Sequence, residues 1–168
     1  MPLLDDKVRK QVQTALSGMQ GGVKMVMFTQ GEGGALECEY CSETRELVTE
    51  VSEQSDKLSL EVLDFQGDEA RAQQLGVDKI PAVVLLGTTE GAGQPSTSPG
   101  PGGAEGGEPG VKDHGIRLYG IPAGYEFSSL IEGLRMVGAG AAPLSEATRE
   151  ALAGLTKPVH LQVFDTPT

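Results

Sequence analysis

The sequence of 168 residues has no tryptophan, three tyrosines, four phenylalanines and two cysteines. A core must therefore be built from Val, Leu, Ile, Met and the few Phe. Two cysteines exclude a framework of several disulfides. Cations are also scarce: 13 Lys and Arg stand against 24 Asp and Glu, for a net charge of −11 and a pI near 4.6. This balance argues against nucleic acid and anionic membrane surfaces, which require basic patches, so neither is expected as a partner. It reads as a solvating surface. No apolar run approaches the roughly 20 residues of a membrane span. The opening Met1-Pro2-Leu3-Leu4-Asp5-Asp6-Lys7 lacks the basic and apolar regions of a signal peptide. The expected compartment is the cytoplasm, where a structural disulfide is rare.

The two cysteines stand together, as Cys38-Glu39-Tyr40-Cys41. An apolar run from Val23 to Thr29 precedes them as a strand, then a loop from Gln30 to Glu37 with three glycines. Cys38 is read as opening a helix that runs to about Gln54, apolar at Tyr40, Leu47, Val48 and Val51 and acidic at Glu39, Glu43, Glu46, Glu50 and Glu53. A dithiol after a strand and at a helix N-terminus suits thiol–disulfide exchange, which needs one thiolate to attack and a second thiol to resolve the mixed disulfide. Cys38, the earlier and more open of the two, is the expected nucleophile, and Cys41 the resolving thiol. The helix N-terminus favours a Cys38 thiolate, while Glu37, Glu39 and Glu43 oppose it. A structural staple, an inert buried pair and a zinc half-site are the other readings. The only histidines, His114 and His160, lack zinc-ligand spacing to the pair and read as strand-surface residues. No metal and no cofactor is expected.

Around this motif the chain alternates. Residues 4–17 form an amphipathic helix with Leu4, Val8, Val12 and Leu16 on one side. Residues 58–64 alternate apolar and polar as a strand, 68–75 form a short helix stopped by Gly76, and 81–86 form a buried strand opening on Pro81. From 87 to 112, thirteen of 26 residues are Gly or Pro. That stretch cannot bury a core and is expected to be a disordered insertion. Residues 114–119 read as a strand and 125–137 as a helix. After a linker at 139–143 the opening pattern returns: 144–150 matches the first helix and 159–164 the first strand, an internal repeat. The order predicts an α/β fold with a central four-stranded mixed sheet flanked by helices. It carries an extra N-terminal helix–strand opening and the long insertion at the tip of a hairpin formed by the last two strands.

This order, the C-E-Y-C after the first strand and Lys79-Ile80-Pro81-Ala82 before the third resemble a thioredoxin-like fold. More narrowly, Met27-Phe28-Thr29 followed by Cys38-Glu39-Tyr40-Cys41-Ser42-Glu43 resembles the N-terminal unit of the glutaredoxin-like protein disulfide oxidoreductases, a family of two tandem thioredoxin folds, each with a C-x-x-C. The ending Val163-Phe164-Asp165-Thr166-Pro167-Thr168 resembles the run before the second unit's C-x-x-C. The resemblance implies a complete unit over 1–138 and the first helix and strand of a second, truncated unit over 144–168. It implies that Pro81 is a cis-proline facing the cysteines and that Ile80 offers its backbone to an extended substrate. Tyr40 either contacts that substrate or packs on its own helix. The implied activity is exchange with protein disulfides, supported by a thioredoxin-reductase-like or glutathione reductant. The insertion is not part of the family pattern. Two other functions remain open: a non-catalytic docking module of a larger two-site enzyme, and a glutathione-dependent glutaredoxin.

Overall fold

The computed structural model describes residues 3–30, 34, 36–88 and 110–164. The chain runs α1 (Asp6–Leu16), β1 (Gly22–Thr29), α2 (Cys41–Ser52), β2 (Leu58–Asp64), α3 (Glu69–Gln74), β3 (Ala82–Thr88), β4 (Val111–Tyr119), α4 (Tyr125–Ala139) and α5 (Glu146–Ala153). The sheet order is β2-β1-β3-β4. β1 pairs parallel with β2 and antiparallel with β3, and β4 closes an antiparallel hairpin on β3.

β1 sits inside the sheet and is apolar on both faces because both are covered. Side chains alternate across a strand. Val23, Met25 and Met27 therefore join Val83 and Leu85 in a core with α1, α2 and α4. Val26 and Phe28 join Val84 and Leu86 in a second core with Ala72 of α3 and with Leu75 and Val77 beyond it. The α1 stripe of Val12 and Leu16 is buried, with Leu4 just ahead of the helix. The Asp5 side chain caps α1 by accepting the Val8 N–H at 2.8 Å. The N-terminus is tied to α2 by Glu50, whose carboxylate accepts from the Leu3 and Leu4 N–H groups and pairs with Arg9. Gly76, at φ 63°, ends α3 in a conformation that a Cβ disfavours.

Three expectations are corrected. The helix over the cysteines begins at Cys41, not Cys38. The Thr44 N–H bonds to Tyr40 O at 2.9 Å as the opening i→i−4 bond, so no carbonyl before Tyr40 belongs to the helix. The hairpin strands extend into the stretch read as insertion: Gly87 pairs with Lys112 and Thr88 with Val111, ladder positions that composition alone does not reveal. The rest of the expected insertion, 89–109, lies outside the described residues. Finally, α5 forms with Ser145 as its cap, but 159–164 forms no strand. A strand needs a neighbour to take its backbone groups, and this stretch pairs with none among the described residues. Val159, Leu161, Val163 and Phe164 are exposed, Phe164 at 89%, and His160 stands on no strand. The last four residues of the resembling end, from Asp165, lie outside the described residues.

Candidate active site

One end of the sheet gathers the chemistry. β1 ends at Thr29 beside Asp64, the last residue of β2. Because β1 and β3 are antiparallel, with Phe28 opposite Ala82, the end of β1 lies beside the start of β3. β4 also ends there, with Tyr119 opposite Ala82. The loop leaving β1 therefore carries Cys38, and the turn into β3 carries Ile80 and Pro81, at the same pole.

Cys38 and Cys41 form a disulfide, with Cα atoms 5.5 Å apart. Cys38 is half-buried in the turn before α2. Cys41 is the first residue of the helix and is buried, at 6% exposure. Tyr40 occupies the cap position, and no side chain caps the helix. The N–H groups of the first turn are thus not taken by a capping oxygen, and they present the positive end of the helix dipole toward the cysteines. Against this stand Glu39 and Glu43. The Glu39 carboxylate, by hydrogen bond and then by charge, raises the Tyr40 phenol above its ordinary value, and slight burial and Glu43 add in the same direction.

Tyr40 is 45% exposed beside the disulfide. The Ile80–Pro81 bond is cis. Pro81 is buried and its carbonyl accepts the Gly120 N–H at 3.0 Å. Ile80 is half-buried against the second core, and its backbone makes no hydrogen bond among the described residues. Next to it, Lys79 Nζ lies 4.7 Å from the Tyr119 ring centroid, a cation–π contact at the same pole. His114 lies near the middle of β4, five residues before Tyr119, at a bulge where Gly115 has φ 79°. Among the described residues no three His, Cys, Asp or Glu converge as a metal site.

Sequence reading missed two residues here. Among the described residues, Thr29 and Thr44 are the buried polar ones: Thr29 ends β1, and Thr44 follows Cys41 by one helical turn. Their only sequence signal is a threonine amid apolar neighbours.

No protein-family model and no curated relative matches the chain. Solved structures do. The alkylhydroperoxide reductase AhpF of Enterococcus faecalis is 23% identical over 92% of this chain and 62% of that chain, with a TM-score of 0.69. The NTD_N/C domain of the same protein matches at 23% identity over 92% of this chain and 62% of that chain, with a TM-score of 0.68. A protein disulfide oxidoreductase from Aeropyrum pernix is 24% identical over 91% of this chain and 56% of that chain, with a TM-score of 0.65. The chain thus spans less than two thirds of the length of each. Strand order, helices on both faces and these likenesses together show that the chain has an α/β, thioredoxin-like fold with a C-x-x-C at the start of its second helix.

Proposed function

We propose that the chain is a thiol–disulfide oxidoreductase that acts on protein disulfides through Cys38 and Cys41. The observation that carries the reading is the Cys38–Cys41 disulfide at an uncapped helix N-terminus, with one cysteine half-buried and the other buried. Cys38, as a thiolate, attacks one sulfur of the substrate disulfide and forms a mixed disulfide, releasing one substrate thiolate. Cys41 then attacks Cys38 Sγ, restores the intramolecular bond and releases the second thiolate. Burial of Cys41 shields it from substrate and reserves it for this second step. Tyr40, exposed beside the pair, and Ile80, whose backbone groups have no hydrogen-bond partner among the described residues, supply the substrate surface, and an extended peptide pairs with Ile80 as an added strand.

Likeness to the Aeropyrum protein disulfide oxidoreductase supports this class. A thioredoxin-reductase-like or glutathione-based donor would return the pair to the dithiol, and the cytoplasm suits that cycle. No helix among the described residues is long and apolar enough to cross a membrane. We read 1–138 as the working unit and 144–168 as the opening of a second. No residue of α5 is buried, which supports that division. The share of the solved structures left uncovered favours a second reading, a docking module of a larger enzyme.

Turnover of insulin disulfides with dithiothreitol separates the two. The wild type is expected to turn over, Cys38→Ser to be inactive, and Cys41→Ser to accumulate a mixed disulfide visible by mass. Full activity in Cys38→Ser would exclude the exchange reading.

A further inference from the structure

Thr44 is fully buried on α2, at 0% exposure. Its Oγ1 has no hydrogen-bond partner among the described residues. Buried hydroxyls are rarely left so, because desolvation is costly without a compensating bond. Two other helical threonines behave ordinarily: Thr14 and Thr49 donate to the carbonyls of Lys10 and Arg45, four residues back, at 2.8 and 2.7 Å. Thr44 has the same option, since Tyr40 O is in place and already accepts its N–H, yet its hydroxyl does not use it.

Cys41 and Thr44 are three residues apart on one helix, both buried, so their side chains share a face. The structure holds the cysteines as a disulfide. A disulfide sulfur has neither proton nor charge and offers a hydroxyl little. Reduction changes that: the Cys41 sulfur becomes a thiol that can donate, or a thiolate that needs a donor. No carboxylate or imidazole is buried among the described residues; Thr29 and Thr44 are the buried polar groups.

Resting on the exchange reading, we propose that Thr44 is the hydrogen-bond partner that the Cys41 sulfur gains on reduction. The hydroxyl accepts from the thiol and, after the proton leaves, donates to the thiolate. It holds Cys41 for its attack on Cys38 Sγ in the mixed disulfide. That attack forms the Cys38–Cys41 bond and breaks the bond to the substrate sulfur. The electron pair leaves with the substrate thiolate, which takes up the proton lost by Cys41, so the substrate is reduced by two electrons and the pair is oxidised. Thr44 is thus a positioning residue whose hydroxyl stabilises the dithiol over the disulfide.

The test is an equilibrium titration of the full chain in glutathione buffers, read by thiol trapping, for wild type, Thr44→Val and Thr44→Ser. Loss of one hydrogen bond in Thr44→Val is expected to move the equilibrium about fivefold toward the disulfide, a midpoint about 20 mV more negative. Thr44→Ser keeps the hydroxyl and is expected to titrate with the wild type. An unshifted Thr44→Val, or a Thr44→Ser shifted as far as the valine variant, overturns the assignment while leaving the exchange reading intact. A wild-type pair that never reduces overturns the exchange reading, and this one with it. Without any variant, the infrared S–H band of Cys41 in the reduced wild type is expected below that of a water-exposed thiol. An unshifted band overturns the proposal.

Discussion

The same helix–strand pattern occurs twice in this chain, and the structure gives the two copies opposite energetic weight. In the first copy, Leu16 is 1% exposed and packs with Val12, Val23 and Met25 in the larger core. In the second, Leu152 is 51% exposed, and no residue of α5 is buried. Leu16→Ala removes a buried side chain and leaves a cavity, a cost of about 2–5 kcal/mol. For a chain of this size that corresponds to a fall in Tm of roughly 4–20 °C, at about 2–4 °C per kcal/mol. Leu152→Ala removes surface contacts alone and is expected within about 0.5 kcal/mol of wild type, a shift of no more than about 2 °C. Removing residues 144–168 altogether should leave the melting of the 1–138 unit equally unmoved. Thermal melts followed by far-ultraviolet circular dichroism, with insulin turnover on the same samples, read both effects. A fall of about 5 °C or more in Leu152→Ala or in the truncated chain, on the scale of about 2–4 °C per kcal/mol, would refute the division into a working unit and an unsupported second opening.

Two further outcomes follow from packing and titration. Stability is expected to fall in acid through the β3–β4 hairpin. Burial, helped by Lys112 and opposed by Asp113, holds the His114 imidazole below its ordinary 6.5. The unfolded chain therefore binds that proton first, and stability drops as the pH falls below about 6.5. Asp113 is held below 3.8, first by its hydrogen bond to Arg117 and despite its burial. Its contribution is complete above 3.8 and is lost as the pH falls toward the lower folded value. Urea midpoints across pH should show both steps, with His114→Gln removing the upper and Asp113→Asn the lower; unchanged profiles would contradict the assignment. Gly138→Ala is expected to cost about 1–3 kcal/mol in the same assay. Its Cβ would come 2.6 Å from Met19 Cε and 3.2 Å from Gly21 O, where the Gly21 N–H bonds to Gly138 O at 2.8 Å. A neutral result would show that this junction between α4 and the start of β1 is loose.

Much of the fold was legible because its signals are local. β2 announces itself by alternation, β1 and β3 by apolar residues on both faces, and α3 by the glycine that stops it. The mixed sheet followed from the order of elements. The misses share one cause: each was decided by a partner beyond the local pattern. Gly87 and Thr88 look like loop, yet they join the ladder because Lys112 and Val111 stand opposite. Residues 159–164 look like a strand, yet form none, because they pair with no strand among the described residues. The helix start at Cys41 rather than Cys38 was decided by which carbonyl accepts the opening helical bond. At the site, Cys38 and Cys41 were legible from spacing, and Ile80 and Pro81 only from resemblance. Thr44 carried no pattern, and its interest arises from an unpaired oxygen that no sequence rule reports.

The central claim is that Cys38 and Cys41 exchange as a working pair. An equilibrium redox titration of the whole chain against glutathione, with thiol trapping and mass readout, tests it most directly. The predicted result is a reversible two-electron transition with a midpoint between roughly −180 and −280 mV, among the known carriers. A midpoint below about −300 mV, as for structural disulfides, would contradict it.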